Sequence, residues 1–111
     1  MNGDIHQQIY AHHAEMCKVL SHPKRLEIID ILRDREISAG ELGHKLGLPP
    51  ANLSQHLAMM RERRVLTSRK EGNVVYYHVT NPRMLQAYDI LREILFEQIR
   101  QDASLIEVHT T

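Results

Sequence analysis

Residues Pro50–Arg64 read Pro-Ala-Asn-Leu-Ser-Gln-His-Leu-Ala-Met-Met-Arg-Glu-Arg-Arg. Leu53, Leu57 and Met60 fall at i, i+4 and i+7, which puts them on one stripe of a helix. The other side holds Ala51, Asn52, Ser54, Gln55 and Ala58, a small, uncharged, hydrogen-bonding face. An ordinary surface helix carries Glu and Lys there. Short amides and hydroxyls suit a close approach to the edges of base pairs in a major groove. Arg61, Arg63 and Arg64 arrive at the helix end, where phosphates would lie. The expectation is a DNA-recognition helix, with Gln55 aimed at an adenine edge. His56 has two readings, a phosphate contact or packing at a seam between helices.

The chain before this helix fits the same expectation. Ser38-Ala39-Gly40-Glu41 is a capping box, with Ser at the N-cap and Glu at N3. It opens a short helix with Leu42 and Leu46 turned inward. Gly43 inside that helix costs about 1 kcal/mol relative to Ala, which the close approach of a neighbouring helix would offset. Gly47 stops the helix in the left-handed conformation, and Leu48-Pro49 makes the turn. A short helix, a tight turn and a second helix give a helix-turn-helix over residues 39–64.

After the recognition helix the period changes. Val65–Lys70 and Val74–Val79 are rich in β-formers, and Glu71-Gly72-Asn73 joins them, with Gly72 and Asn73 both tolerating positive φ. A hairpin over 65–79 directly after a recognition helix is a wing. Arg69 and Lys70 near its tip are candidates for backbone phosphate, and Asn73 is grouped with them as DNA-facing. The plainer reading of these basic groups is solubility charge, and Arg61 has the further option of pairing with a carboxylate.

The flanks are helical. Residues 5–20 form a first helix with Ile5, Ile9, Met16 and Leu20 in a stripe. Ser21 is placed to cap a second helix that carries Pro23 in its first turn and runs to about Asp34. Leu26, Ile28, Ile29, Ile31 and Leu32 make that helix the core. Asn81-Pro82 starts a last helix over 82–101, apolar around much of its circumference through Leu85, Tyr88, Leu91, Ile94, Leu95 and Ile99. Such a helix needs more cover than one small domain supplies. The expectation is a homodimer through the first and last helices, with Ile9, Met16, Tyr88, Leu91 and Leu95 at the interface. Residues 102–111 carry no clear signal and are expected to fray.

A chain of 111 residues is sized for one domain. No run reaches the ~20 apolar residues of a membrane span, and the N-terminus lacks a secretory pattern. The single Cys17 excludes an internal disulfide and fits a reducing cytoplasm. Net charge is formally zero but segregated. Residues 44–80 hold six basic against two acidic groups, a balance of +4, while 1–43 and 81–111 each stand at −2. The positive segment is centred on the recognition helix and the wing. There is no phosphate loop and no Ser/His/Asp signature, so nothing supports an enzyme.

With these residues in place, the chain resembles the ArsR/SmtB family of winged-helix repressors from about Leu20 to Val79. Leu20-Ser21-His22-Pro23-Lys24-Arg25-Leu26 with Ile28 and Ile29 is similar to that family's opening helix. Leu53-Ser54-Gln55-His56-Leu57 is similar to its recognition-helix core, and Arg69-Lys70-Glu71-Gly72 with Val75-Tyr76-Tyr77 to its wing. The resemblance implies a mainly α fold with a two-stranded β-wing. It implies a homodimer that binds double-stranded operator DNA and releases it when an inducer, often a metal ion, binds.

The chain departs from the family at its metal sites. The family's arsenic and cadmium sites use a Cys-x-Cys type motif on the third helix, and Ser38–Leu46 has no Cys. Its zinc sites use positions on the last helix that match Asn81, Arg83, Ile94 and Glu97, and neither Arg83 nor Ile94 binds zinc. A Gly usual after the recognition helix is replaced near Arg63-Arg64, so either one of these arginines is left-handed or the turn differs. The remaining candidates for a signal are Cys17, His13 four residues before it, and His6 seven before that, which share a helix face. They suit a soft or borderline metal, or a modification of the thiol. The competing reading makes Cys17 a small buried hydrophobe at the dimer interface. The function expected is a dimeric, sequence-specific transcriptional regulator, a repressor released by an inducer. The rivals are a winged-helix protein-interaction module and a constitutive DNA-binding protein without inducer.

Overall fold

The computed structural model describes the backbone of residues 2–110 and the side chains of residues 4–103. The elements are α1 (Asn2–Val19), α2 (Pro23–Leu32), β1 (Ile37–Ser38), α3 (Ala39–Leu46), α4 (Pro50–Glu62), β2 (Leu66–Glu71), β3 (Val74–Val79) and α5 (Arg83–Thr110). They fall into two compact units, Met1–Asn81 and Pro82–Thr111. This is a winged helix-turn-helix, mainly α with a small antiparallel wing.

The core of the first unit collects the apolar stripe of each helix. Ile28, Ile29 and Leu32 of α2 are buried, as are Leu42 and Leu46 of α3 and Leu53, Leu57 and Met60 of α4. Val65, Leu66 and Val79 close the core from the base of the hairpin, and among the described residues of α1 Val19 is the buried one. Full burial of each such side chain stabilises by about 1.5–3 kcal/mol. Leu26 and Ile31 are half-buried, so the inner face of α2 is narrower than its composition suggests.

Several ends differ from the sequence expectation. Ser21 does not cap α2. Its hydroxyl donates to the Lys18 carbonyl at 2.7 Å and closes α1 instead. The cap is His22, whose Nδ1 accepts from the Lys24 N–H at 3.1 Å, with Pro23 at the first helical position. An imidazole nitrogen meets the same orphan N–H that Ser or Asp usually serves. The helix α2 stops at Leu32 rather than Asp34 because Arg33 takes φ 47°. The Arg35 guanidinium then donates to the Ile31 carbonyl at 2.9 and 3.1 Å, satisfying one terminal acceptor.

The helix-turn-helix follows the sequence closely. Ser38 Oγ accepts from the Glu41 N–H at 3.2 Å. Gly47 sits at φ 64°, and the Leu48 N–H returns to the Gly43 carbonyl at 3.2 Å. A Cβ on Gly43 would stand 3.3 Å from Leu53 Cδ2, so the glycine lets α4 approach closely. The helix α4 ends at Glu62. Arg64 takes φ 62°, and the Val65 N–H bonds to the Met60 carbonyl at 2.8 Å. Arg64 thus occupies the left-handed position that glycine usually fills in this closing motif.

The sheet has three strands in the order β1-β3-β2, one more than the hairpin alone. Ile37 pairs with Tyr77 and Ser38 with Tyr76. In the hairpin Glu71 pairs with Val74, so the turn is the two residues Gly72-Asn73. Gly72 takes φ 61° while Asn73 stays out of the positive region. Positive φ at the first central residue alone is the type II′ arrangement, which needs glycine only there.

In the second unit α5 runs to Thr110, past the fraying point expected near residue 101. Along it Ile90, Leu91, Ile94, Leu95, Phe96 and Ile99 are 45–65% exposed. Among the described residues no helix is long and apolar enough to cross a membrane.

Candidate nucleic-acid interface

The buried stripe of α4 fixes which side chains face outward. With Leu53, Leu57 and Met60 inside, Ala51, Asn52, Ser54, Gln55 and Ala58 are all exposed. No protein group engages the polar ends of Asn52, Ser54 or Gln55 among the described residues, so their donors and acceptors are open to a ligand. Pro49 at the N-cap makes no side-chain bond, and Pro50 at the first helical position has no N–H to satisfy. A Pro-led start therefore leaves the leading turn free of bulky capping groups.

His56 lies in the same helix but is half-buried. Its Nδ1 accepts from Arg25 Nε at 3.3 Å, and its ring centroid stands 4.5 Å from that of His22. Of its two readings, the structure places it at the seam between α4 and the start of α2. Burial, then the neighbouring His22 and Arg25, hold its pKa below the ordinary 6.5.

The arginines after α4 have distinct partners. Arg61 Nη1 donates to Ser68 Oγ of β2 at 3.3 Å, not to a carboxylate. Arg63 pairs with Glu15 of α1 at 2.9 Å, tying the end of the recognition helix to the first helix. Those two residues line a cleft of about 360 Å³ with His12, Met16, Glu62 and Arg64.

In the wing, Lys70 and Asn73 are exposed near the tip. Arg69 is exposed as well, but it is not an unattached cation. Its guanidinium donates to both Glu36 oxygens at 2.7–3.0 Å and to Glu71 Oε2 at 2.7 Å. It also lies 4.7 Å over the Tyr76 ring. The hydrogen bond from Arg69 holds the Glu36 carboxyl below the usual carboxylate value, and the two carboxylates raise Arg69 still further. The sequence reading missed Glu36 because it lies 33 residues from its partner.

The three candidate ligands His6, His13 and Cys17 all lie on α1 and are exposed. Cys17 is exposed in the single chain, so the reading that buries it as a small hydrophobe requires a second copy. Among the described residues no group of three or more His, Cys, Asp or Glu side chains gathers as a metal site would require.

Residues 20–69 match a helix-turn-helix domain family. The chain is 31% identical over 102 residues to the HTH-type transcriptional regulator Rv0081 of Mycobacterium tuberculosis, covering 91% of this chain and 90% of that one. The crystal structure of Rv0081 superposes with a TM-score of 0.79, covering 86% of this chain and 96% of that one. A biofilm growth-associated repressor of Xylella fastidiosa is 33% identical over 79% of this chain and 77% of its own. The crystal structure of the transcriptional repressor BigR from Xylella fastidiosa gives a TM-score of 0.70 at 30% identity, covering 85% of this chain and 95% of that one. A homodimeric winged helix-turn-helix domain from Mycobacterium bovis shares the fold at a TM-score of 0.81 and 19% identity, with 88% and 91% covered. Regulators of this kind bind DNA and carry out no enzymatic chemistry. The motifs, the fold and these relatives agree, and the chain belongs to the ArsR/SmtB family of winged helix-turn-helix transcriptional regulators.

Proposed function

We propose that this protein is a homodimeric repressor that binds a palindromic operator with one α4 in each of two successive major grooves. The observation that carries this reading is the exposed face of Asn52, Ser54 and Gln55 above the buried stripe of Leu53, Leu57 and Met60. Base edges are read by such amides and hydroxyls, and two half-sites lie about 34–36 Å apart.

Dimerisation through α1 and α5 is supported by their exposed apolar residues. Ile5, Ile9 and Met16 on α1, with Leu91, Ile94 and Leu95 on α5, are 38–65% exposed in the single chain. A second copy is the occupant that the homodimeric relative of this fold suggests. Repression follows the sense in which the Xylella fastidiosa relative is named. The signal is assigned to the exposed thiol of Cys17, with His13 one turn earlier, either as a metal ligand set or as a site of thiol modification.

The test is binding to duplexes from the promoter of the protein's own gene, at several salt concentrations, with sedimentation of the free protein and the complex. The expected result is a dimer whose affinity falls steeply with salt, by about 0.9 log units per log unit for each phosphate neutralised. Repetition with chelator, a metal panel and an oxidant, on wild type and Cys17→Ser, locates the signal. A flat salt dependence would make the fold a protein-interaction module. Transcription that rises with added protein would overturn repression.

A further inference from the structure

The two faces of the wing carry different chemistry. Side chains alternate along a strand. The register pairs Lys70 with Val75 and Ser68 with Tyr77 on one face, and Arg69 with Tyr76 and Thr67 with His78 on the other. The first face is continuous with the recognition helix. Leu66 and Val79 at its base are buried in the core, and Arg61 of α4 reaches Ser68 at 3.3 Å. Val75 and Tyr77 line a cleft of about 490 Å³ together with Ser54 of α4. Lys70 stands at the outer end of this face, exposed and with no hydrogen bond or ion pair among the described residues.

The second face is occupied differently. Arg69 grips the Glu36 carboxylate through Nε and Nη2 and reaches Glu71 through Nη1, over the ring of Tyr76. Glu36 lies immediately before β1, so the contact fastens the hairpin to the segment that leads out of α2. Most exposed ion pairs contribute little, but a bidentate guanidinium–carboxylate pair joined by a second carboxylate is the favourable exception. One guanidinium faces two carboxylates here, with His78 Nδ1 3.9 Å from Glu36 on the same face, so with a neutral His78 ring the cluster has one negative charge in excess. A phosphate approaching Arg69 would have to displace a carboxylate and meet that excess negative charge.

The geometry points to a division of labour in the wing: Arg69 is a positioning residue that fastens the hairpin to Glu36, and Lys70, on the opposite face, is the group that meets the DNA backbone. This inference rests on the DNA-binding reading above and goes beyond it, since sequence position alone treats the two cations as equivalent. An arginine held this way contributes through the angle of the hairpin and releases no counterion when DNA binds.

The experiment measures operator affinity against salt for wild type, Lys70→Ala, Arg69→Ala, Glu36→Gln and the charge swap Glu36→Arg/Arg69→Glu, each checked for a normal thermal melt. Lys70→Ala is expected to reduce the salt slope by about 1. Arg69→Ala and Glu36→Gln are each expected to weaken binding about two- to fivefold with the slope unchanged, and the charge swap to restore most of that loss. Removing Glu36 makes the two possibilities differ in sign. If Arg69 were a phosphate ligand, Glu36→Gln would free it and tighten binding. Tighter binding by Glu36→Gln, wild-type affinity in Arg69→Ala, a slope reduced by Arg69→Ala, or a slope unchanged by Lys70→Ala each overturns the division. Wild-type protein that binds no promoter duplex in a salt-dependent way overturns the DNA-binding reading itself, before any variant is compared.

Discussion

Arg25 Nε donates to His56 Nδ1 at 3.3 Å, and this single bond joins the first turn of α2 to the middle of the recognition helix. The same guanidinium donates through Nη1 to the Lys18 carbonyl at the end of α1, also at 3.3 Å. Three helices therefore meet at one side chain. For His56 to accept at Nδ1, its ring must be neutral with the proton on Nε2. The adjacent His22 accepts at Nδ1 too, from the Lys24 N–H. Both rings are set as acceptors, and a proton on His56 Nδ1 would turn that acceptor into a donor facing the Arg25 guanidinium.

This arrangement predicts a pH dependence of stability. Burial, His22 and Arg25 lower the His56 pKa from 6.5 in the folded state. Below 6.5 the unfolded chain takes up the proton first, so stability rises with pH in that window. The contribution is complete above pH 6.5 and is lost as pH falls from 6.5 through the lower folded value. Melting temperature should therefore drop as pH falls below 6.5. His56→Gln keeps an acceptor without a titrating ring and should flatten that drop. An identical pH profile in the variant would assign the dependence to other groups.

The difference between what sequence shows and what it hides follows from distance along the chain. The stripe of Leu53, Leu57 and Met60, the Ser38 cap and the Gly47 stop are local patterns within one or two turns, and each is where the periodicity put it. The strand β1 is only Ile37–Ser38 and exists because Tyr76 and Tyr77 pair with it, so no alternation could announce it. The Arg69–Glu36 pair and the Arg25–His56 bond span 33 and 31 residues and depend on the finished fold. His22 as a cap was hidden by the neighbouring Ser21, a better capping residue by propensity that the end of α1 claims first. For the recognition face the outward side chains were legible, because burial of one stripe determines the other.

Arg64 offers a test of the backbone. A non-glycine residue at φ 62° carries the crowding of its Cβ against the following carbonyl, about 1–2 kcal/mol. Arg64→Gly removes that strain but gives the unfolded chain more freedom, worth about 0.4–1 kcal/mol in the opposite direction. The net expectation is a stabilisation of about 0.5–1 kcal/mol, read as a rise of a few degrees in melting temperature. A fall in melting temperature would show that contacts of the Arg64 side chain outweigh the strain.

On the recognition face, Gln55→Ala and Ser54→Ala should weaken binding to the specific operator while leaving the fold intact, because both side chains are exposed. Loss of a bidentate base contact costs about 1–3 kcal/mol, or roughly 5- to 150-fold in affinity. Binding to unrelated DNA and the salt slope should be unchanged, since neither residue is charged. Operator affinity untouched by Gln55→Ala would move the reading of sequence to another residue of the face.

The proposed dimer makes its sharpest prediction at Leu91. That side chain is 65% exposed in the single chain, so a carboxylate there meets water in the monomer and does not disturb the protomer's fold. In a dimer through α1 and α5 the same carboxylate would be buried in an apolar contact without a partner, at a cost of several kcal/mol. Leu91→Asp should therefore sediment as a folded monomer and lose tight operator binding, because one recognition helix alone reads one half-site. Its binding to a single half-site duplex should match that of the wild-type protomer. A Leu91→Asp protein that remains dimeric with normal operator affinity would place the interface elsewhere on the chain.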